Sequence, residues 1–223
     1  MLRNLFMVGI IGLGGVAILV SLGIWQVNRL AEKEAYLANI ESRIGEPPQA
    51  LPGNPDPATD KFMPVTATGT IAPGLIRVLS SRKNVGAGHR LIVPFVSTDG
   101  RRILVDIGFL AQGRAVPAMP AMTMTLTGNL HWPDETDSFT PKPIAGSDLW
   151  FARDVPALAA ALDTAPILIV ARDTAGIDGV TPWPINTDGI PNDHRGYAIT
   201  WFSLAAIWLA MTGFLVYRMR KPK

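Results

Sequence analysis

The chain has 223 residues, of which 48% are hydrophobic and only 17% are charged, whereas soluble domains carry about 25% charged residues. It has no cysteine, which excludes disulfides, thiol catalysis, cysteine-bound zinc or iron–sulfur clusters, covalent haem attachment and copper transfer through thiols. The 20 basic and 18 acidic residues nearly balance, so nucleic-acid binding is not expected.

The first predicted element is an uncharged window at residues 5–25. About 20 apolar residues in a helix cross a bilayer, so the window predicts a first transmembrane helix after a short cytoplasmic N-terminus. Its apolar run is too long for a signal peptide and no cleavage site follows, so we interpret it as a retained anchor. Gly9, Gly12 and Gly15 lack the setting of a nucleotide-binding loop, and their spacing instead predicts a close approach of another helix.

Residues 26–60 are predicted to form a helical extension and then a proline-rich linker. Leu30, Leu37, Ile40 and Ile44 keep a helical spacing beyond the membrane span. Five prolines between positions 47 and 57 exclude a helix or a central strand there.

Residues 61–195 are predicted to form a β-rich extracytoplasmic domain. Runs that alternate or are rich in β-branched residues predict strands at 64–71, 75–81, 90–97, 101–110, 122–130 and 166–172. The sequence Thr98-Asp99-Gly100 predicts a hairpin between the third and fourth of these strands. One helix is predicted over 154–163, with Asp154 as its N-cap.

Few residues in this domain suggest chemistry. His89 and His131 are interpreted as loop histidines at strand ends, and scattered histidines do not make a metal site. Asp106 lies in a strand on the face of Leu104 and Gly108, so its carboxylate is expected to be either partnered or at a surface. No nucleophile, paired carboxylate or phosphate-loop motif is present, so the protein is not expected to be an enzyme.

A second uncharged window, 196–217, predicts a second transmembrane helix that is followed by a basic tail at 218–223. Short basic flanks stay in the cytoplasm, so both termini are expected inside and the central domain outside. The start "MLRNLFMVGI" shows no transit segment, which favours a bacterial protein. We therefore expect a two-pass protein of the bacterial inner membrane with a periplasmic domain.

One face of the second span carries small residues. Ser203, Ala206, Ala210 and Gly213 step by three and four positions, and we predict that this face packs against the glycine face of the first span.

The opposite face begins at the outer membrane boundary with a histidine. If the helix extends back to position 194, His194 shares its face with Ala198, Trp201, Ala205 and Trp208. The small residues leave room for a flat apolar ligand walled by the two tryptophans, and a neutral imidazole can bind haem iron. The alternative is an ordinary polar residue above an interfacial tryptophan belt.

Two arginines are expected at the same level as His194. Arg29 follows the first span and Arg195 precedes the second, so both could bind haem propionates through charged hydrogen bonds.

The two ends of the chain resemble one known family. The segment "GIWQVNRLAEKEAYLA" (23–38) resembles the Gly-x-Trp-Gln-x-x-Arg-x-x-x-Lys signature of the Surfeit locus protein family, the cytochrome c oxidase assembly factors. The segment "NDHRGYAITWFSLA" (192–205) resembles that family's Asn-x-His-x-x-Tyr-Ala-x-Thr-Trp-Phe start of the second helix. Residues 88–110 and 148–162 are similar to its central Pro-Phe hairpin and its tryptophan-containing helix approach. The resemblance covers nearly the whole chain in order.

Two features depart from the family pattern. The family's hairpin usually reads Leu-Val-Asn-Arg-Gly, whereas Asp106 and Ile107 replace the Asn and Arg here. The tryptophan of the helical extension is also absent, and Tyr36 and Leu37 stand in its region.

The resemblance implies a non-enzymatic biogenesis factor for haem–copper oxidases. Such a factor binds haem a and assists its insertion into catalytic subunit I, with that subunit, other assembly factors and membrane lipid as partners. The family motif carries a haem role to His194 only. The alternatives are a scaffold that stabilises subunit I without touching haem and, with least support from the motifs, a membrane-anchored enzyme.

Overall fold

The computed structural model describes residues 2–144, 146–173 and 177–220. It shows an α+β protein in which two long apolar helices precede and follow a β-rich domain in the chain. The elements are, in chain order, α1 (Leu2–Ile44), β1 (Gln49–Ala50), β2 (Pro64–Ile71), β3 (Ile76–Arg82), β4 (Gly86–Ser97), β5 (Arg102–Ala111), β6 (Met124–Leu130), β7 (Leu149–Trp150), α2 (Val155–Leu162), β8 (Leu168–Ala171) and α3 (His194–Arg220). The predicted fold class is confirmed, while positions 221–223 of the predicted basic tail lie outside the described residues.

The two long helices are apolar enough to cross a membrane. Within Phe6–Ile44 and His194–Arg220, the most apolar windows have mean hydropathies of 2.4 and 1.8, and most of their side chains are not covered by protein. Apolar side chains that protein leaves exposed are expected to face lipid, which fits a two-pass membrane protein. The first helix continues without a break to Ile44 and ends before Gly45, and two prolines follow at positions 47 and 48.

The chain divides into two compact units. One contains the helical segments up to Asn39 and from Thr187 onwards, and the other comprises Ile40–Asn186.

The second unit is built on a closed β-barrel. The strands pair in the order β1-β2-β6-β8-β5-β4-β3-β7, and an additional pairing between β2 and β4 closes a ring of β2, β6, β8, β5 and β4. All six predicted strands are confirmed within a few residues. The hairpin between β4 and β5 is confirmed too, since Ser97 N–H donates to the Arg101 carbonyl and Gly100 adopts a positive φ of 85°.

Alternate residues of the barrel strands point to two separate cores. Ile103 and Val105 of β5 lie in the interior cluster with Phe95 of β4. Leu104, which lies between them in sequence, packs in a second cluster with Leu158 of α2. This is the period of two expected for a strand with protein on both faces.

The short helix α2 begins as predicted. The Asp154 side chain accepts a hydrogen bond from the Ala157 amide at 3.2 Å, which satisfies one of the free N–H groups at the helix start.

Candidate functional site

The candidate site lies where His194, the first residue of α3, meets α1. Its Nδ1 atom is 2.7 Å from Oε1 of Gln26. An amide oxygen only accepts hydrogen bonds, so Nδ1 donates and carries the proton. When the ring is neutral, its lone pair is then on Nε2, which is the atom that a metal or a hydrogen-bond donor uses.

Gln26 is a buried polar side chain at the edge of an apolar span, with 8% of its surface exposed. Burying an amide costs free energy unless it is hydrogen-bonded, so the contact with His194 stabilises one rotation and one axial position of the helix pair. The sequence motif included Gln26, but sequence reasoning gave it no site role. The one signal in the sequence that could have indicated this role is that a polar amide side chain directly follows the uncharged window at residues 5–25.

Helix α3 approaches Gly12 and Gly15 of α1 closely, as the spacing of the glycines predicted. A Cβ atom on Gly15 would lie 2.5 Å from Nε1 of Trp208, and one on Gly12 would lie 2.1 Å from Cγ2 of Thr212. The Trp208 indole N–H also donates to the Gly12 carbonyl at 3.1 Å. A side chain at either position would therefore force the helices apart. Gly9, in contrast, has no such neighbour within 4 Å.

The prediction that the small-residue face of α3 packs against α1 is wrong. Its residues Ser203, Ala206, Ala210 and Gly213 are all exposed.

The face that packs on α1 is instead the one that begins with His194. Its small residues Ala198 and Ala205 are 6% and 5% exposed. They let α1 approach closely rather than leaving room for a ligand between the helices. The physical reason is that two hydrogen bonds, from His194 to Gln26 and from Trp208 to Gly12, fix the rotation in apolar surroundings, where a stripe of small residues has a weaker effect.

The structure separates the two tryptophans predicted to wall the ligand. Trp201 is half-buried and lies seven residues beyond His194, or about 10 Å along the helix axis. Trp208 lies about 21 Å along the axis and packs against Gly15, so it does not group with His194.

The two predicted propionate-binding arginines are exposed. Arg29 lies about one turn after Gln26 and donates to Glu32 at 2.8 Å, in a pair whose side chains are 54% and 65% exposed. Such exposed pairs contribute about 0–1 kcal/mol, so Glu32 hardly restrains the guanidinium. Arg195 follows His194 directly and is also exposed.

Comparison with known proteins decides the family. The SURF1 family profile matches residues 13–206. A SURF1-like protein of Monosiga brevicollis is 32% identical over 213 residues, which cover 87% of this chain and 82% of that protein. A SURF1-like protein of Rickettsia felis is 27% identical, with 90% and 92% covered. Surfeit locus protein 1 of Rattus norvegicus is 28% identical, with 88% and 70% covered.

The chain belongs to the SURF1 family. This is the family of oxidase assembly factors that the two end motifs indicated. The match spans Gln26 and His194, so both partners of the helix-pair contact lie inside the family region.

The barrel of this SURF1 family member holds a second polar centre around Asp106. This carboxylate is fully buried and accepts hydrogen bonds from Arg90 at 2.6 Å, from Arg153 at 3.4 Å and from the Gly108 amide at 3.1 Å. Asp106 is thus buried and partnered, the first of the two outcomes expected for it. The negative charge at the position of the family's Asn is compensated by arginines from β4 and from the approach to α2.

A second carboxylate completes this charge cluster. Glu135 accepts from the Arg153 backbone N–H at 2.9 Å and from its guanidinium. Burial opposes the charged form of Arg153, but the hydrogen bonds to Glu135 and the charge of Asp106 outweigh it and raise the pKa of Arg153. Two arginines and two carboxylates therefore balance in this cluster, in which Asp106 is buried and Glu135 lies at the exposed edge. Sequence reasoning missed Arg90, Arg153 and Glu135 because they are distant in sequence and form no local pattern.

The charge cluster around Asp106 also contacts Trp183, in the segment that follows β8. The Arg90 guanidinium lies 4.1 Å from the ring centroid of Trp183 and donates to the Trp183 carbonyl at 3.2 Å. The indole makes an edge contact with Phe109 at 5.4 Å between ring centroids. Trp183 is thereby fixed on the barrel by a cation–π contact and by packing.

His89 lies within β4 rather than in the loop predicted for it, whereas His131 lies in the loop directly after β6, as predicted, and is half-buried. The His131 ring lies 5.4 Å from that of Phe62, and its Nδ1 atom is buried without a hydrogen-bond partner among the described residues. Burial, followed by the charges of Arg153 and Lys61, lowers the pKa of His131 to about 3.

This depressed pKa predicts acid sensitivity of the barrel. The unfolded chain binds a proton near pH 6.5 whereas the folded His131 does not, so stability is full above that pH and falls below it. The loss approaches about 1.4 kcal/mol per pH unit. Thermal unfolding of the full-length protein at pH 7.5 and pH 5 should show the difference, and His131→Phe should reduce it. A pH dependence that is the same in His131→Phe as in the unmodified protein would contradict the assignment.

Proposed function

We propose that this protein is a biogenesis factor for haem–copper cytochrome c oxidase that binds haem a at His194 and assists its insertion into catalytic subunit I. The observation that carries the proposal is the 2.7 Å contact between His194 Nδ1 and Gln26 Oε1. It directs the Nδ1 side of the ring toward Gln26 and leaves Nε2 as the atom that would bind iron, in the way that second-shell acceptors orient metal-bound histidines. Membership of the SURF1 family supports the oxidase as the client.

The residues around His194 fit haem as a cargo. The iron supplies a coordination position for an imidazole nitrogen. Arg29 and Arg195 are exposed, lie within about one turn of the Gln26–His194 contact, and present guanidinium groups that suit carboxylates. Trp201 is the aromatic side chain on the same face about two turns further on. Trp208 has no part in this proposal because its ring packs against α1.

We further propose that the protein lies in a bacterial inner membrane with both termini in the cytoplasm and the barrel in the periplasm. The last turn of α3 carries Arg218 and Arg220, which favours a cytoplasmic end. SURF1-like relatives in Rickettsia species support a bacterial setting. Its partners are subunit I, other oxidase assembly factors and the surrounding lipid, and the role is non-enzymatic.

The Gln26–His194 contact gives the first test. Full-length protein is purified in detergent and titrated with haem a by absorption spectroscopy. Gln26→Leu removes the acceptor of the Nδ1 proton, so haem affinity should fall about 10–100-fold. Gln26→Glu keeps an acceptor at the same distance and should retain binding. Equal affinities for the unmodified protein and Gln26→Leu would contradict the role of this contact.

A scaffold that stabilises subunit I without haem is the second candidate. The observation that favours it is that α1 occupies the face of α3 on which a ligand was predicted. If protein from haem-a-producing cells carries no haem while the oxidase subunit co-purifies normally, the scaffold function replaces the haem function.

A further inference from the structure

An apolar groove runs along one flank of the helix pair. Its upper part has a volume of about 510 Å³ and is lined by Gly15, Ile18 and Leu19 of α1 and by Leu204, Ile207 and Trp208 of α3.

A lower groove of about 610 Å³ shares Trp208 and Met211 with the upper one. The shared side chains make the two parts one continuous feature. Almost the whole lining is apolar, so the groove suits an unbranched or isoprenoid hydrocarbon and no polar head group.

The groove begins below the candidate haem site. Leu204 is ten residues beyond His194, which is about 15 Å along the helix axis. At 100° per residue, Leu204 and Trp208 lie on the same side of His194 and within about 80° of it around the helix. A ligand held at His194 therefore reaches the groove by extending along that flank toward the membrane interior.

We propose that this groove binds the farnesyl tail of haem a. The assignment rests on the proposed function, because the tail enters the groove only if the porphyrin is held at His194. Haem a and haem o both carry a farnesyl chain on one edge of the ring, whereas haem b carries a vinyl group there. The groove thus selects haems with a tail.

The expected selectivity is modest. Lipid tails are as apolar as the groove, so a farnesyl chain gains close packing there rather than escape from water. We expect about tenfold tighter binding of haem a and haem o than of haem b, which corresponds to about 1.4 kcal/mol.

The test is a substitution that fills the groove and leaves the Gln26–His194 contact between the helices unchanged. The Ile207 side chain is 56% exposed and lines the groove, so Ile207→Trp inserts a bulky ring into it. The matched control is Leu209→Trp, since Leu209 lies at nearly the same depth, is 51% exposed and is not among the groove-lining residues. Full-length proteins in lipid nanodiscs are titrated with haem a, haem o and haem b.

The tail assignment predicts that Ile207→Trp lowers the affinities for haem a and haem o about tenfold and leaves haem b unchanged, while Leu209→Trp changes none. Equal effects of Ile207→Trp on all three haems, or no effect on any, would overturn it. If the unmodified protein binds no haem at all, the proposed function fails and the tail assignment fails with it. If haem a remains bound through His194 but Ile207→Trp behaves like Leu209→Trp, the tail assignment alone fails.

Discussion

Asp106→Ala is expected to destabilise the barrel by about 3–5 kcal/mol, because it leaves two buried guanidinium groups without their shared carboxylate. The side chains of Arg90 and Arg153 are 9% and 11% exposed, and that of Asp106 is 0% exposed. The substitution also removes the acceptor of the Gly108 amide. A domain stability of about 5–15 kcal/mol is typical, so the expected loss is about a fifth or more of the total free energy of unfolding.

Two further variants serve as comparisons for the loss of this buried charge. Asp106→Asn keeps an acceptor for the Gly108 amide and restores the family's usual residue, so we expect a smaller loss than with alanine. Asp99→Ala removes a half-exposed carboxylate that pairs with Arg101 in the β4–β5 hairpin, so we expect a smaller loss than with Asp106→Ala.

The measurement is denaturant unfolding of the full-length protein in detergent, followed by tryptophan fluorescence, since Trp132, Trp150 and Trp183 lie in the barrel unit. Equal midpoints for Asp106→Ala and Asp99→Ala would show that the buried charge cluster does not stabilise the fold.

Most elements of the fold could be predicted from local sequence patterns. Alternation and β-branched runs located six strands, and the Asp154 cap and the hairpin at 98–100 followed from residue chemistry. Barrel closure could not be predicted in this way. It depends on the pairing of β2 with β4 and on the parallel pairing of β5 with β8, which join strands that are distant in sequence. The two-residue strands β1 and β7 are too short to produce an alternating pattern.

Only one of the two residues of the central contact in the candidate site, His194, could be predicted from the sequence. His194 stood out because a polar residue borders an uncharged span. Its partner Gln26 is 168 positions away, and no local pattern links the two. The rotation of α3 was predicted wrongly because small residues mark where helices can approach, not where they do. The hydrogen bond from Trp208 to Gly12 outweighs that preference in an apolar setting.

His194→Ala is expected to lower haem a affinity by at least about 100-fold, since it removes the nitrogen proposed to bind the iron rather than a group that orients it. The variant is compared with His194→Gln, which can still hydrogen-bond Gln26 but offers no imidazole. The control is His89→Ala, which removes a half-buried imidazole from β4 in the barrel unit. Absorption titrations of the full-length proteins give the affinity and the spectrum of the bound haem.

The pattern among these variants separates ligation from support of the helix pair. If His194 binds the iron, His194→Ala and His194→Gln both lose haem, and His89→Ala keeps it. If His194 only joins α3 to Gln26, His194→Gln keeps haem, because an amide can replace the 2.7 Å contact. Added imidazole makes the distinction sharper. It can occupy the space left in His194→Ala, donate its N–H to Gln26 and present the same nitrogen to iron, so it should restore the spectrum of the unmodified protein. A histidine that merely orders the helix ends would gain nothing from imidazole, and such a result would contradict the ligand role.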